Sequence, residues 1–461
     1  QAEGSSLDRA GLERTVAAVS DFVRIGRTHG VAEYLAVATA AVRQAANGEA
    51  FVQAVSEQTG VAFRIISEAE ESELAFLGAM NTLAETDGLL VDMGGASTEL
   101  VRFTDRRVDV AVSLPFGAVN LTERFLPGGT GNNDGYNQLL AFLAELLARV
   151  PWIRSARGLP LIGVGGTVRN LAKMDRRSRA YPLEVLHNYR MEPDRVEAVY
   201  RLVRGKTPQE RTRIPGLSED RADIIASGAA MFWRLLTRSG ARELVVSGAG
   251  VREGLVYRHV LGGQTAPPVA DVLEHSAASL LEAYGLDEQR SRETARLALV
   301  LYDRLQPLHG LAPWCRRCLW AGATLAEVGA AVNLYGQDHH TFYLLCHGRL
   351  YGLSHRETVI TAAVAGFEGS GKARALIGPL ESLLHDGDEL AVRRLGVICA
   401  MARALTLYEP GAVQDLTVEV LSDRVAVRIQ SHALTPGEVR SLQGLADDFR
   451  KAFGARLLAE G

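Results

Sequence analysis

Four short apolar runs that end at or beside turn residues constrain the fold of this 461-residue chain more than any other feature. They lie at 34–39, 88–92, 159–164 and 243–247, each the length of a buried strand, and helical periodicity separates them. Strands alternating with helices predict an α/β architecture over residues 1–263. The last three runs lead straight into Gly-rich turns.

Beyond residue 263 the pattern changes twice. A polar and proline break at 265–268 reads as a linker. From 272 to about 403 apolar residues recur at i, i+3, i+4 without a convincing strand, so a helical domain is expected. After Pro410 and Gly411, alternating runs at 416–421 and 424–429 flank Ser422 and Asp423, with a helix expected from Pro436. That is a small α+β region. A chain this long exceeds what one hydrophobic core organises, and several domains are expected.

Composition excludes some function classes. The formal net charge is −4 and no long basic run occurs, unlike the footprint of a duplex nucleic-acid binder. No stretch approaches the roughly 18 unbroken apolar residues of a membrane helix. Gln1 is not a start methionine, and the residues after it form neither a secretory signal nor a transit peptide. Four cysteines do not make a disulfide framework here, which suits a reducing, cytoplasmic setting. The close pair Cys315 and Cys318 lacks the second pair of a zinc site and is read as structural. Only four residues are Lys (Lys173, Lys206, Lys372, Lys451), so positive charge rests on Arg, whose planar fork suits phosphate. Genomic base composition is the favoured cause of that bias.

The most informative segment is VDMGGASTEL at 91–100. A strand ends at Asp92, the chain turns on Gly94 and Gly95, Ser97 and Thr98 add hydroxyls, and Glu99 comes next. Backbone N–H groups of such a turn can cradle an anion. If 100–103 is a returning strand, both carboxylates lie at one end of a hairpin and could hold Mg²⁺ directly or through water. A plain hairpin with two solvated acids would read the same way. GVGGTVRN at 163–170 runs from a strand into a helix, whose first N–H groups favour an anion, with Gly165, Gly166 and Thr167 at the turn. SGAGVREG at 247–254 repeats the arrangement, and Arg252 could add fixed positive charge. Three such loops suggest a phosphate-lined cleft. Glu68, Glu70, Glu71 and Glu73 cluster where a strand passes into a helix, a placement that helix-dipole complementarity alone explains.

With ATAAVR (38–43), IISEAEESELAFLG (65–78), SLPFGAVNLTERF (113–125), IPGLSEDRADIIASG (214–228) and SGAGVREGLVY (247–257) added, the chain resembles the exopolyphosphatase and guanosine pentaphosphate phosphohydrolase family of the actin-like superfold. The resemblance implies two actin-like, ribonuclease H-like lobes (1–73 and 74–263), an all-α HD-like domain (269–405) and a small α+β domain (411–461). It implies that Glu71 is the general base, that Asp92 and Glu99 bind Mg²⁺ or another divalent cation, and that Arg43 contacts phosphate. The loops at 94–98 and 165–167 become phosphate cradles, and the three acids are expected to meet at one hydrated ion. The implied activity is release of orthophosphate from inorganic polyphosphate, with guanosine pentaphosphate as the alternative substrate and a non-catalytic polyphosphate- or nucleotide-binding regulator as the alternative role. A homodimer is implied as well.

The sequence departs from that family in three places. Its opening hairpin with an Asp-x-Gly-Ser-Asn-Ser-like phosphate loop has no counterpart here, and the chain is expected to start beyond it, those residues being omitted rather than lost. Ala96 replaces the third glycine of the metal loop. Leu325, Ala326 and Glu327 stand where relatives carry a His-containing motif, so a second metal site is not expected, and His339 and His340 are read as packing or polyanion-contacting residues. GFEGSGK at 366–372 has the spacing of a nucleotide-binding loop but is followed by Ala373 instead of a hydroxyl, and it lies in a helical domain.

Overall fold

Apolar residues bounded by glycine build the central sheet of the first of two units. The computed structural model describes residues 6–262, 268–431 and 436–460. Residues 1–180 and 186–269 form one unit, and residues 181–185 with 270–461 form the other. Residues 265–267 of the expected linker lie outside the described residues.

In the first unit β1 (Ala36–Ala38) and β2 (Phe63–Ile65) pair in parallel as a two-stranded sheet. The helices Arg9–Thr28 and Gly48–Thr59 belong to the same region. The larger sheet holds β3 (Gly88–Met93), β4 (Thr98–Thr104), β5 (Arg107–Leu114), β6 (Pro160–Val164), β7 (Arg190–Met191) and β8 (Glu243–Val246), in the order β5-β4-β3-β6-β8-β7. β3, β6 and β8 run parallel, while β4, β5 and β7 are antiparallel to their neighbours. The expected strands are present. β5 was not anticipated, although Val108, Val110 and Val112 recur at a strand's period of two.

The Glu68–Met80 helix lies on one face of this sheet. Ala75, Phe76, Ala79 and Met80 pack on Leu90, Val101, Phe103, Ile162 and Val164, with the rings of Phe76 and Phe103 5.4 Å apart. A second helix, Val251–Val260, is held tightly against it. A Cβ added at Gly254 would lie 1.9 Å from the Leu74 carbonyl oxygen, and one at Gly78 would lie 2.1 Å from that of Gly250. Only hydrogen fits at this crossing.

The second unit is helical from Val272–Ala283 to Asp388–Leu405, and then carries a three-stranded sheet. β9 (Val413–Val420) pairs antiparallel with β10 (Arg424–Ser431), and β11 (Arg456–Glu460) pairs parallel to β10. One apolar core runs through helices and sheet alike, from Leu273 and Leu301 to Val427 and Phe449. The nucleotide-loop spacing at 366–372 is a decoy here. The residues before it are the His355–Ala365 helix, not a strand, and Lys372 pairs with Glu368 at 2.6 Å. Cys315 and Cys318 are buried on a helix, which pushes their thiols up to about 11 and about 12, values at which neither offers a thiolate. Leu325 and Ala326 are buried apolar residues. Among the described residues no group of three or more His, Cys, Asp or Glu side chains is placed to hold a metal ion. No described helix is long and apolar enough to cross a membrane.

Candidate active site

The loops after β3, β6 and β8 leave the carboxyl ends of parallel neighbours, so they gather along one edge of the sheet, the ligand-binding edge of open α/β sheets. Strand alternation decides which side chains share a face. Asp92 is two residues from Leu90, and Glu99 two from Val101, so both point to the face covered by the Glu68–Met80 helix. They also stand directly opposite each other in the β3–β4 register. On the helix, Glu71 is one turn before Ala75, which packs on that same face. Three acids far apart in sequence are thereby brought together.

Their electrostatics reflect the proximity. Burial, then the charge of Glu71, pushes Asp92 up to about 7, while Arg169 pulls it down. Burial and the charge of Glu71 push Glu99 up to about 8, with Asp92 adding to the rise and bonds from Ser97 and Ser113 opposing it. The Ser113 hydroxyl donates to Glu99 Oε1 at 3.1 Å. Neither Asp92 nor Glu99 makes an ion pair among the described residues.

Glu71 is buried, and its Oε2 accepts from Arg43 Nη1 at 2.9 Å. Arg43 Nη1 also donates to the Ile66 carbonyl at 2.8 Å, whereas its Nε and Nη2 are buried with no acceptor. The Glu68 carboxylate stands 3.9 Å from Nη2, too far for a hydrogen bond, so an arriving anion would compete with Glu68 and Glu71 for this guanidinium. Glu70 is occupied elsewhere: Arg64 grips it with two bonds of 2.6 and 2.7 Å and Arg258 adds a third at 3.1 Å, which holds its carboxyl below the ordinary range. Ser67 caps this helix by accepting from the Glu70 N–H at 3.1 Å.

Two of the three glycine loops carry free donors. The carbonyls of Gly94 and Gly95 accept from the N–H groups of Ala118 and Val119, which fixes the loop from behind. No acceptor among the described residues claims the N–H groups of Gly95, Ala96, Gly166 or Thr167. Gly165 has a φ of +101°, and a Cβ there would lie 3.0 Å from the Met93 carbonyl oxygen and 3.2 Å from Asp92 Oδ1. The start of the Gly166–Ser178 helix thus abuts Asp92. Thr167 is buried beneath that helix start.

Three expectations need correction. Thr98 is fully buried and donates its hydroxyl to the Phe116 carbonyl at 2.7 Å, so it braces the hairpin and has no donor left for phosphate. The third loop is not an anion seat, because Gly248, Ala249 and Gly250 donate to His187 Nδ1, Ser247 Oγ and Glu253 Oε2. Its Arg252 is 83% exposed, has Glu253 as its ion-pair partner at 3.7 Å, and is not among the charges acting on Asp92 or Glu99. The three acids do not form one metal ligand set either, since Glu71 engages Arg43. Asp92 and Glu99 remain as a carboxylate pair, and one or two carboxylates completed by water and substrate phosphate is the donor set Mg²⁺ takes. A half-buried Asp92 opposite a buried Glu99, neither held in an ion pair among the described residues, fits such an ion.

Two arginines join the site that sequence reading passed over. Arg169 acts on Asp92, and its place four residues after Gly165 was the available signal. Arg221 packs on Gly166, where a Cβ would meet its Cζ and Nη2 at 3.0 Å. Asn170 holds the turn before Arg221 by accepting from the Ser218 N–H at 2.8 Å.

A family model for the Ppx/GppA phosphatase family matches residues 2–262, more than half of the chain. The chain belongs to the Ppx/GppA phosphatase family. A second model, Ppx/GppA phosphatase domain III, matches residues 272–406, which is the helical region. Membership makes the chain a hydrolase of phosphoanhydride bonds, of exopolyphosphatase or GppA type, with actin-like domains ahead of domain III. The family does not separate the two activities. An exopolyphosphatase from Cytophaga hutchinsonii matches with a TM-score of 0.53 at 22% identity, covering 56% of this chain and 85% of that one, and shows the shared fold. A structure described as an exopolyphosphatase-like protein matches with a TM-score of 0.51 at 27% identity, covering 55% and 85%. A family member from Aquifex aeolicus matches at 27% identity with a TM-score of 0.48, covering 56% and 83%.

Proposed function

We propose that this chain is an exopolyphosphatase that releases orthophosphate from the end of inorganic polyphosphate, with guanosine pentaphosphate as the alternative substrate. One observation carries the reading: Glu71, Asp92 and Glu99 converge beside two sets of unclaimed N–H groups and the guanidinium of Arg43, whose Nε and Nη2 make no hydrogen bond. The residues gathered there are carboxylates, arginines, hydroxyls and glycines, groups that recognise phosphate.

In this reading the terminal phosphate sits against the N–H groups of Gly95, Ala96, Gly166 and Thr167. Arg43, Arg169 and Arg221 neutralise its charge. Asp92 and Glu99 would hold Mg²⁺, which when bound supplies charge neutralisation at phosphate oxygens. Glu71 takes the proton of the attacking water, and competition from phosphate for Arg43 frees the carboxylate oxygen that does so. A homodimer and a cytoplasmic location complete the proposal, the latter supported by four free, buried cysteines.

The test is phosphate release by purified protein with Mg²⁺, supplied with long-chain polyphosphate or with guanosine pentaphosphate. Faster release from polyphosphate is expected, and Glu71→Gln should abolish it. Release from guanosine pentaphosphate alone, or an active Glu71→Gln, would overturn the assignment.

A further inference from the structure

The helix that begins at the site carries more positive charge than its own fold requires. Cations in the last turn complement a helix dipole, which accounts for Arg176 and Arg177. Arg169 and Lys173 lie in the first and second turns of the same helix, where the dipole opposes a cation or gives it no help. Neither has an ion-pair or hydrogen-bond partner among the described residues, and both are half-buried instead of extended into solvent. The one acid of this helix, Asp175, is fully buried and taken by Arg195, Arg179 and the Tyr189 hydroxyl. It pairs with neither Arg169 nor Lys173.

Spacing turns these residues into a line. Positions 169, 173 and 177 are four apart and share one helix face, rising about 6 Å per step. The line starts at Arg169, whose charge reaches Asp92, and ends at the exposed Arg177. Its middle is held firmly. Gly216, at φ +93°, packs so closely on the Lys173 backbone that a Cβ would lie 2.5 Å from the Lys173 carbonyl oxygen. Three residues before that contact the exposed Arg213 adds a further cation.

We propose that Lys173, followed by Arg177, forms a rail for the part of a polyphosphate chain that trails behind the terminal phosphate. A linear polyanion has negative charge at every repeat and can engage successive cations along a helix. In guanosine pentaphosphate the ribose interrupts the run of phosphates, so the outer positions meet no continuous line of charge. The rail therefore rests on the exopolyphosphatase reading and adds chain-length selectivity to it. Recognition is of charge and spacing, so Arg at 173 substitutes for Lys, while a neutral side chain does not.

The experiment compares wild type, Lys173→Ala and Lys173→Arg on long-chain polyphosphate and on tripolyphosphate, with Mg²⁺, at several salt concentrations. The expected result is a roughly tenfold fall in the ratio of kcat/KM for long over short chains in Lys173→Ala, carried by KM, with the ratio restored in Lys173→Arg. The salt dependence for the long chain should weaken by about one unit in the log–log slope. Lys173→Gln repeats the test if the alanine variant folds poorly. An unchanged ratio with an unchanged salt slope would overturn the rail. Failure of wild type to hydrolyse polyphosphate at all would overturn the functional reading first, and the rail with it.

Discussion

Replacing Glu99 by Gln should stabilise the metal-free protein at alkaline pH and hardly change it in acid. The folded protein holds the Glu99 carboxyl up to about 8 against an ordinary value of 4.5, because burial and the charges of Glu71 and Asp92 oppose ionisation. A carboxyl raised on folding binds its proton more tightly in the native state. Its contribution is fully present below about 4.5 and is lost as pH rises through about 8. The distance from 4.5 to about 8 corresponds to roughly 5 kcal/mol. Because part of that rise comes from the charges of Glu71 and Asp92, roughly 2–4 kcal/mol is the expected gain from neutralising Glu99. The amide of Gln keeps an oxygen to accept from Ser113. The assay is urea unfolding in the presence of a chelator at pH 4.5 and pH 8.5. Wild type should lose stability between these values, and Glu99→Gln should lose much less. Equal losses would refute the placement of Glu99 as a buried, unpaired carboxylate. Added Mg²⁺ should raise the wild-type melting temperature more at pH 8.5 than at pH 5, since an ion there replaces the proton.

Other outcomes rest on single contacts. Arg43→Ala leaves a buried Glu71 without its cation and should cost about 3 kcal/mol in denaturant unfolding, besides reducing phosphate release. Gly165→Ala should lower kcat by at least tenfold, because the left-handed backbone and the 3.2 Å approach to Asp92 Oδ1 leave no room for a methyl group; an unaffected rate would show that the loop is not against the chemistry. Arg211→Met should be among the most destabilising substitutions in the first unit, by about 4 kcal/mol or more. That guanidinium is fully buried and donates to the carbonyls of Val203, Gly129 and Ala222 and to the Tyr136 hydroxyl, making no ion pair among the described residues although the charges of Asp223 and Glu210 act on it, and thermal unfolding would measure the loss.

Local pattern made the first unit readable. Val91 and Asp92 before two glycines, and the repeat of strand, turn and helix at 159–170, announced parallel strands with ligand-facing ends. Face and register were harder to read, since which carboxylate points where depends on packing: Glu70 and Glu71 are neighbours, yet one is tied to Arg64 and the other lies on the helix face turned to the sheet. Glycine loops also look alike in sequence. The loop at 247–250 has its N–H groups consumed by His187, Ser247 and Glu253: the last two are local, a capping residue included, but His187 lies 61 residues away in sequence. Thr98 was misplaced for the same reason, its acceptor Phe116 being 18 residues away. β11 was hidden because a five-residue run at the end of a helical stretch carries no period of its own.

The glycine seam between the Glu68–Met80 and Val251–Val260 helices has a consequence for how this protein tolerates change. With hydrogen as the only substituent that fits at 78 and 254, Glu71 rides on a backbone clamped to its neighbour at atomic contact. A mutational scan should therefore find inactive variants at those two positions, although neither residue meets a phosphate. Their defect would be one of alignment: a displaced helix carries the water-activating carboxylate off target while every reacting group remains intact.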